Sequence, residues 1–230
     1  TVDKISNASW TNISGIPSKK FYNINDDIRF VDYVILGNPN ATVDSDLISM
    51  PNFGDLSLFT ASNSSVSTNV VLPPDSSSTG DLIIENTAVD TNHLVQRRTN
   101  TLTNLTQSFF HISTYVSCST PSRSLLMYAD RIDSATDRAG VYFNPANMEL
   151  VDYTFNSGTV LYSRCTQSLY GWSFVEAWIR LVNEAAQTAS LVLRMATGSS
   201  APYAVSYTGD GASTLAVWNP KIQETTLLYF

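Results

Sequence analysis

The chain has 230 residues, of which 43% are hydrophobic, 11% aromatic and 14% charged, a composition that folds around an apolar core as one large or two small domains. Its formal net charge of -7 and isoelectric point near 4.6, with adjacent basic residues only at Lys19-Lys20 and Arg97-Arg98, exclude the clustered cations that neutralise a nucleic-acid backbone or an anionic membrane. No run of about 18 apolar residues and no charged-then-apolar leader is present, so targeting to or insertion in a membrane is not expected.

Residues 1 to 45 carry short apolar pieces, Ile24 to Phe30 and Val31 to Leu36, broken by Asn, Asp, Gly37 and Pro39; this predicts a mostly extended segment without a long periodic helix. Residues 61 to 80 are dominated by Ser, Asn and Thr, interrupted by Val70-Val71-Leu72 and Pro73-Pro74, and read as surface strand and loop opening a domain. From Gly80 onward, short apolar or alternating runs separated by turn residues predict strands. These are Asp81 to Glu85, His93 to Arg97, Phe109 to Cys118, Ser124 to Asp130, Gly140 to Asn144, Glu149 to Phe155, Tyr170 to Val182, Ala189 to Ala196 and Thr214 to Glu224. Val, Ile, Thr, Tyr and Phe dominate them, and the spacing is that of an all-β sandwich or barrel.

In Phe109 to Val116, period 2 places Phe110, Ile112, Thr114 and Val116 on one face and Phe109, His111, Ser113 and Tyr115 on the other. The segment Ala177 to Arg194 fits a helix as well, since Trp178 to Ala186 has no clear alternation. The flanking β context favours a strand, a turn over Asn183 to Gln187 and a second strand at Ser190 to Arg194. Cys118 and Cys165 pair only if their strands are neighbours, and a chain of this length buries about 70% of its surface without needing a disulfide. Sequons at Asn7, Asn12, Asn40, Asn63 and Asn104 are close to the number that an Asn-, Ser- and Thr-rich composition produces by chance.

Ser206-Tyr207-Thr208-Gly209-Asp210-Gly211, followed by Leu215-Ala216-Val217-Trp218 and Ile222-Gln223-Glu224, resembles the C-terminal signature of jelly-roll, carbohydrate-binding-module-like domains of bacteriophage tail and other virion proteins. Asp81 to Thr87, His93 to Gln96, Phe110 to Val116 and Gly171-Trp172 resemble earlier elements of that family, and the likeness covers residues 46 to 230. The chain departs from it at Asn219-Pro220, where Gly-Ala is usual, and at Ser173-Phe174, where an aromatic-Arg pair is usual. Pro220 removes a ladder donor, so a bulge or an edge position is expected there. Ser9-Trp10-Thr11-Asn12-Ile13-Ser14-Gly15-Ile16-Pro17-Ser18 resembles a repeat of phage tail-fibre shafts.

These resemblances imply an antiparallel jelly-roll sandwich over residues 46 to 230, preceded by an attachment and oligomerisation arm over residues 1 to 45. They imply a virion structural protein, assembled in the host cytoplasm, whose arm contacts other virion proteins in a homo-oligomer, trimer favoured, and whose sandwich binds a host-surface glycan without transforming it. The family leaves room for a structural calcium, to which no ligand is assigned. The acidic stretch Asp130, Asp133 and Asp137 lacks the spacing and central Gly of an EF-hand loop, and Asp210 between two glycines reads as a tight turn.

No GxSxG, HExxH, phosphate-binding loop or dinucleotide-binding glycine pattern occurs, so no cofactor and no catalytic residue is assigned. With His93 and His111 the only histidines, a His-based triad or metal centre has few possible members. Among carboxylates, Glu149, Asp152 and Glu176 lie on predicted strands, and a pair spanning a sugar would suit a polysaccharide hydrolase; solvated edges and turns are the favoured account, since nothing in the sequence fixes two of them over a common cleft. Sugar rings stack on Trp and Tyr while polar neighbours bind the hydroxyls. The candidate ligand-binding residues are Tyr128, Tyr142, Trp172, Trp178, Arg180, Tyr207 and Trp218, with Arg123 and Asn144 nearby in sequence, although each aromatic also suits a sandwich interior. A non-catalytic glycan-binding module is the primary reading; a purely structural or decoration subunit and a polysaccharide hydrolase are the alternatives.

Overall fold

The structure is a computed structural model and describes residues 56–76, 79–98, 107–117, 123–131, 137–182, 188–198 and 203–225. Packing divides the chain into one unit of Thr1–Asp44 with Thr225–Phe230 and a second of Ser45–Glu224. The expected arm over residues 1 to 45, Asp133, Cys118 and the turn over Asn183 to Gln187 lie outside the described residues. Cys165 donates its Sγ–H to the Met148 carbonyl at 3.7 Å.

The described residues form an all-β jelly-roll sandwich. Its strands are β1 (Thr60–Ser62), β2 (Ser64–Val71), β3 (Gly80–Glu85), β4 (Leu94–Arg98), β5 (Gln107–Ser117), β6 (Ser124–Arg131), β7 (Arg138–Asn144), β8 (Glu149–Phe155), β9 (Thr159–Gln167), β10 (Ser173–Val182), β11 (Ala189–Ala196) and β12 (Thr214–Thr225). A first sheet has the order β1-β4-β11-β6-β7-β8 and a second the order β2-β3-β12-β5-β10-β9, with antiparallel registers. The chain crosses between sheets after β1, β3, β4, β5, β8, β10 and β11, so each inner face is filled alternately from distant parts of the sequence.

The expected alternation in β5 is realised: Phe110, Ile112, Thr114 and Val116 are fully buried, and on β10 Val175, Ala177, Ile179 and Leu181 join them in the core. Ala177 to Val182 is strand, because register with β5 throughout and with β9 as far as Arg180 satisfies its backbone, which outweighs its weak helical tendency. The strand expected from Tyr170 begins instead at Ser173, after a 3-10 turn at Leu169–Gly171. β9 was not expected from the sequence: it is half-buried along most of its length and its register shifts opposite Trp178 and Ile179, which erases a period-2 signal.

β12 contains the irregularity expected at Asn219-Pro220. Val217 and Ile222 are both fully buried in the core, an odd separation that strict alternation forbids. Asn219 has φ 53, and the β3 register runs from Thr214 to Val217. The left-handed residue re-phases the strand past the position where Pro220 has no N–H to offer.

The Tyr207 to Gly211 motif is tied down by a buried carboxylate at the end of β3. Glu85 Oε2 accepts from Arg123 Nε at 2.7 Å and from Tyr207 Oη at 2.8 Å, and Oε1 accepts from Arg123 Nη2 at 2.5 Å and the Asp210 N–H at 2.7 Å. The hydrogen bond to Glu85, after burial, holds the Tyr207 hydroxyl well above the usual tyrosine range. Asp210 closes the turn by accepting from the Ala212 N–H at 2.7 Å, the Ser213 N–H at 2.6 Å and Ser213 Oγ at 2.6 Å, which lowers its pKa well below the carboxylate range. Gly209 is required because a Cβ there would meet the Asn86 carbonyl oxygen at 1.8 Å and His93 Cε1 at 2.7 Å. His93 in turn lies against the Asn63 and Tyr207 carbonyls at 2.6 and 3.3 Å.

The outer face of the first sheet is covered by the chain itself. Strands β6 and β11 are buried on both faces, and Tyr128, Leu126 and Val192 pack under Leu94, Tyr142, Tyr153 and Val205. Arg194 donates to the Val205 carbonyl at 2.8 Å, Tyr203 Oη donates to Glu149 Oε2 at 2.6 Å, and Thr197 and Ala204 form a β-bridge. These contacts fasten the segment before β12 across the sheet. Asp130 sits at the margin of this layer, 3.8 Å from Arg138, with its Oδ1 buried and without a hydrogen-bond partner; burial pushes its carboxyl up to about 6.

Two outcomes are expected in urea denaturation. Replacing Glu85 with Gln costs about 3 kcal/mol or more because Arg123 loses its buried counter-ion, whereas Tyr207→Phe removes one hydrogen bond and costs about 1 kcal/mol. Asp130 holds its proton more tightly folded than unfolded, so its stabilising contribution is complete below about pH 4 and is lost as pH rises toward 6, a change on the order of 2 kcal/mol. Asp130→Asn keeps a neutral side chain throughout, so its stability relative to the parent rises by that amount between pH 4 and 7.

Candidate functional site

Strand β10 turns Val175, Ala177, Ile179 and Leu181 inward, which places Phe174, Glu176, Trp178 and Arg180 on the outer face of the second sheet. Register then fixes their neighbours: Thr166, Arg164, Tyr162 and Thr159 on β9, and Tyr115, Ser113, His111 and Phe109 on β5. These strands form one surface on which aromatic and charged side chains alternate at strand spacing.

Trp178 is the centre of an aromatic row. The His111 ring stacks on it with centroids 4.3 Å apart and planes 20° apart, and the Tyr162 ring lies on its other flank at 5.4 Å and 47°. One step along β10, Glu176 is only 4% exposed yet belongs to the outer face. Its Oε2 accepts from His111 Nε2 at 2.9 Å and its Oε1 accepts from Arg164 Nε at 2.7 Å, with Arg164 Nη2 also in contact. His111 Nδ1 lies 3.4 Å from the Gln223 side-chain amide. A buried carboxylate held by a guanidinium on one oxygen and an imidazole on the other stays fixed in position and orientation. Arg180 donates Nη2 to Thr159 Oγ1 at 3.3 Å.

Toward the other end of the face the surface becomes apolar. Tyr115 packs against Phe174 at 4.8 Å and Trp218 at 5.0 Å. Trp172 folds over this end, packing with Trp218, Ala216, Val71, Leu82 and Tyr115. Its Nε1–H donates to the Leu72 carbonyl at 3.0 Å, and that of Trp218 donates to Thr79 Oγ1 at 3.1 Å.

The expected ligand-binding residues are therefore divided by the fold. Trp178 and Arg180 share the outer face of the second sheet, half-exposed. Trp172 and Trp218 belong to the same face, but at 2% and 8% exposure they pack against each other and offer no open ring to a ligand, a correction to the expectation of exposed platforms. Tyr207 is likewise buried, its hydroxyl spent on Glu85 and its ring under Arg123 at 5.0 Å. Tyr128 is buried beneath the tyrosine layer of the opposite sheet, where Tyr142 packs on Tyr153 and Tyr203 at 5.4 and 5.5 Å. Arg123 serves the Glu85 cluster, and Asn144 accepts from the Ala146 N–H in a turn. Neither reaches the surface around Trp178.

Sequence reasoning missed Tyr162 and Arg164 because β9 itself was missed, and a strand without clean alternation leaves no signal that its residues face Trp178. Glu176 and His111 were noticed singly; their pairing requires the β5–β10 register, and they stand far apart in the chain.

Chemically, the surface combines a flat aromatic centre with fixed hydrogen-bonding groups. Among the described residues, no His, Cys, Asp and Glu side chains converge in a group that could hold a metal ion. Both Glu176 oxygens are engaged by His111 and Arg164, and Asp152 accepts from Ser163 Oγ at 2.7 Å. Glu176 is thereby held as a fixed polar edge beside the Trp178 row.

No protein-family model matches the sequence, and no curated protein matches it. Among solved structures, the enzymatically active domain of tailspike protein 4 of bacteriophage CBA120 aligns with a TM-score of 0.43 at 11% identity over 78% of this chain, which spans 21% of that chain's length. The CBM22-1 xylan-binding domain of Xyn10C from Paenibacillus barcinonensis aligns with a TM-score of 0.41 at 12% identity, covering 80% of this chain and 97% of that domain.

Proposed function

We propose that this chain is a non-catalytic glycan-binding module and that the outer face of its second sheet, centred on Trp178, is the binding surface. The observation that carries the reading is the row Tyr162, Trp178 and His111 beside the Glu176–Arg164 pair. An indole held between two neighbouring rings is preorganised, so little side-chain entropy is lost when the apolar face of a sugar packs on this row. Arg164, Arg180 and Gln223 border it with donors and acceptors suited to hydroxyl groups, and Glu176 fixes Arg164 in place. Fold alone assigns no function; the reading rests on this surface.

The placement of such a module in a virion, with residues 1 to 45 joining other virion proteins in a homo-oligomer, is part of the proposal and is supported by the tail-fibre and jelly-roll resemblances of the sequence. Host-surface glycan is the ligand class that this placement favours.

Affinity electrophoresis of the full chain through gels containing soluble polysaccharides, with parallel assay of reducing ends, tests the reading. Retardation by at least one polymer without release of reducing ends is expected. Trp178→Ala removes the central ring and weakens retardation by about tenfold or more, while the buried core of β10 leaves the melting temperature within a few degrees of the parent. Cleavage of the polymer would replace the proposal with a hydrolase.

A further inference from the structure

At the tip of the β9–β10 hairpin, the chain displays two large apolar side chains to solvent. Leu169 is 63% and Tyr170 66% exposed, and neither makes the burial that would justify an apolar residue in a turn. Tyr170 also has φ 57 and ψ 33, a left-handed conformation that a bulky L-residue adopts only when its surroundings impose it and that Gly or Asn adopts readily. Folding thus gives no reason for a tyrosine here, and strain of this kind concentrates at functional positions.

The turn is held firmly from both sides. The Ser168 N–H donates to the Trp172 carbonyl at 2.7 Å and the Trp172 N–H donates to the Leu169 carbonyl at 3.2 Å; Gly171 takes the next left-handed position with φ 76. Trp172, two residues from Tyr170, is buried against Trp218 and anchored by its indole N–H to the Leu72 carbonyl. The Tyr170 side chain is therefore exposed from a fixed backbone in the turn that leads into β10, four residues before Phe174.

We infer that Tyr170 is an additional stacking residue of the glycan surface and that the ligand is a polysaccharide long enough to reach from Trp178 to the hairpin tip. The inference rests on the reading of that surface as glycan-binding. Phe174 and Trp178 stand four residues apart on the outer face of β10, about 13 Å along the strand, and Tyr170 precedes them in the turn at Leu169–Gly171. Apolar side chains at the hairpin tip and along β10 contact successive stretches of one extended polymer, whereas a single sugar unit occupies only the Trp178 end. Stacking suits the exposed ring, which needs few degrees of freedom fixed on binding.

The test compares Tyr170→Gly, Tyr170→Phe and Trp178→Ala in the full chain. Binding of a retained soluble polysaccharide, chosen from xylan, dextran, hyaluronan and a bacterial O-polysaccharide, is measured by titration calorimetry alongside its disaccharide. Tyr170→Gly relieves the left-handed strain, so its melting temperature equals or exceeds that of the parent while affinity for the polymer falls about tenfold and affinity for the disaccharide is unchanged. Tyr170→Phe retains polymer affinity. Parent-like polymer binding by Tyr170→Gly, with Trp178→Ala impaired, overturns this inference and leaves the binding surface standing. If no polysaccharide binds the parent, or Trp178→Ala binds like the parent, both fail.

Discussion

A single buried carboxylate ties the two sheets of the sandwich together at one end. Glu85 closes β3, Arg123 immediately precedes β6, and Tyr207 and Asp210 belong to the connection into β12; all converge on the two oxygens of one side chain. In a low-dielectric interior such a charge is tolerated only with a counter-ion and a full set of donors, so its three partners must arrive together. That requirement selects one geometry for the Tyr207 to Gly211 turn. Gly209 completes it, because the backbone there runs against the Asn86 carbonyl and the His93 ring. β12 enters the second sheet between β3 and β5 from this fixed point, and the left-handed Asn219 then re-phases it.

The two outer faces follow from how the sandwich is closed. The connection between β11 and β12 crosses the first sheet, and its residues, with a layer of tyrosines, bury what would otherwise be an exposed aromatic surface. The outer face of the second sheet has a different cover: Trp172 seals the Trp218 end, and the strip formed by β5, β10 and β9 keeps half-exposed rings beside a nearly buried ion pair. A Glu176 carboxylate withdrawn from water on an outer surface is costly unless His111 and Arg164 compensate it. The same compensation makes it a rigid polar edge for the Trp178 row.

Residue patterns were informative where they are local. The alternation of Phe110, Ile112, Thr114 and Val116 and the turn at Asp210 follow from period 2 and from the conformational freedom of flanking glycines, both of which act within a few residues. Pro220, lacking an N–H, marked the irregularity in β12 before its partner strands were known. The candidate site was legible only in part. Trp178 and Arg180 were identified by type, but so were Trp172, Trp218, Tyr207 and Tyr128, which the fold spends on packing, because a tyrosine or tryptophan on a strand has the same sequence signature on either side of a sheet.

The sequence by itself determined the all-β class, most of the strands, the inward face of β5 and the positions of the special turns, since periodicity, glycine freedom and the missing donor of proline are properties of short stretches of chain. Tertiary structure alone decided which aromatics stay open. That choice depends on cross-strand register between β5, β9 and β10, on a bulge that shifts β9 out of phase, and on a Trp172 side chain that crosses to β12 and β3. These are contacts between residues far apart in sequence, and no local pattern encodes them.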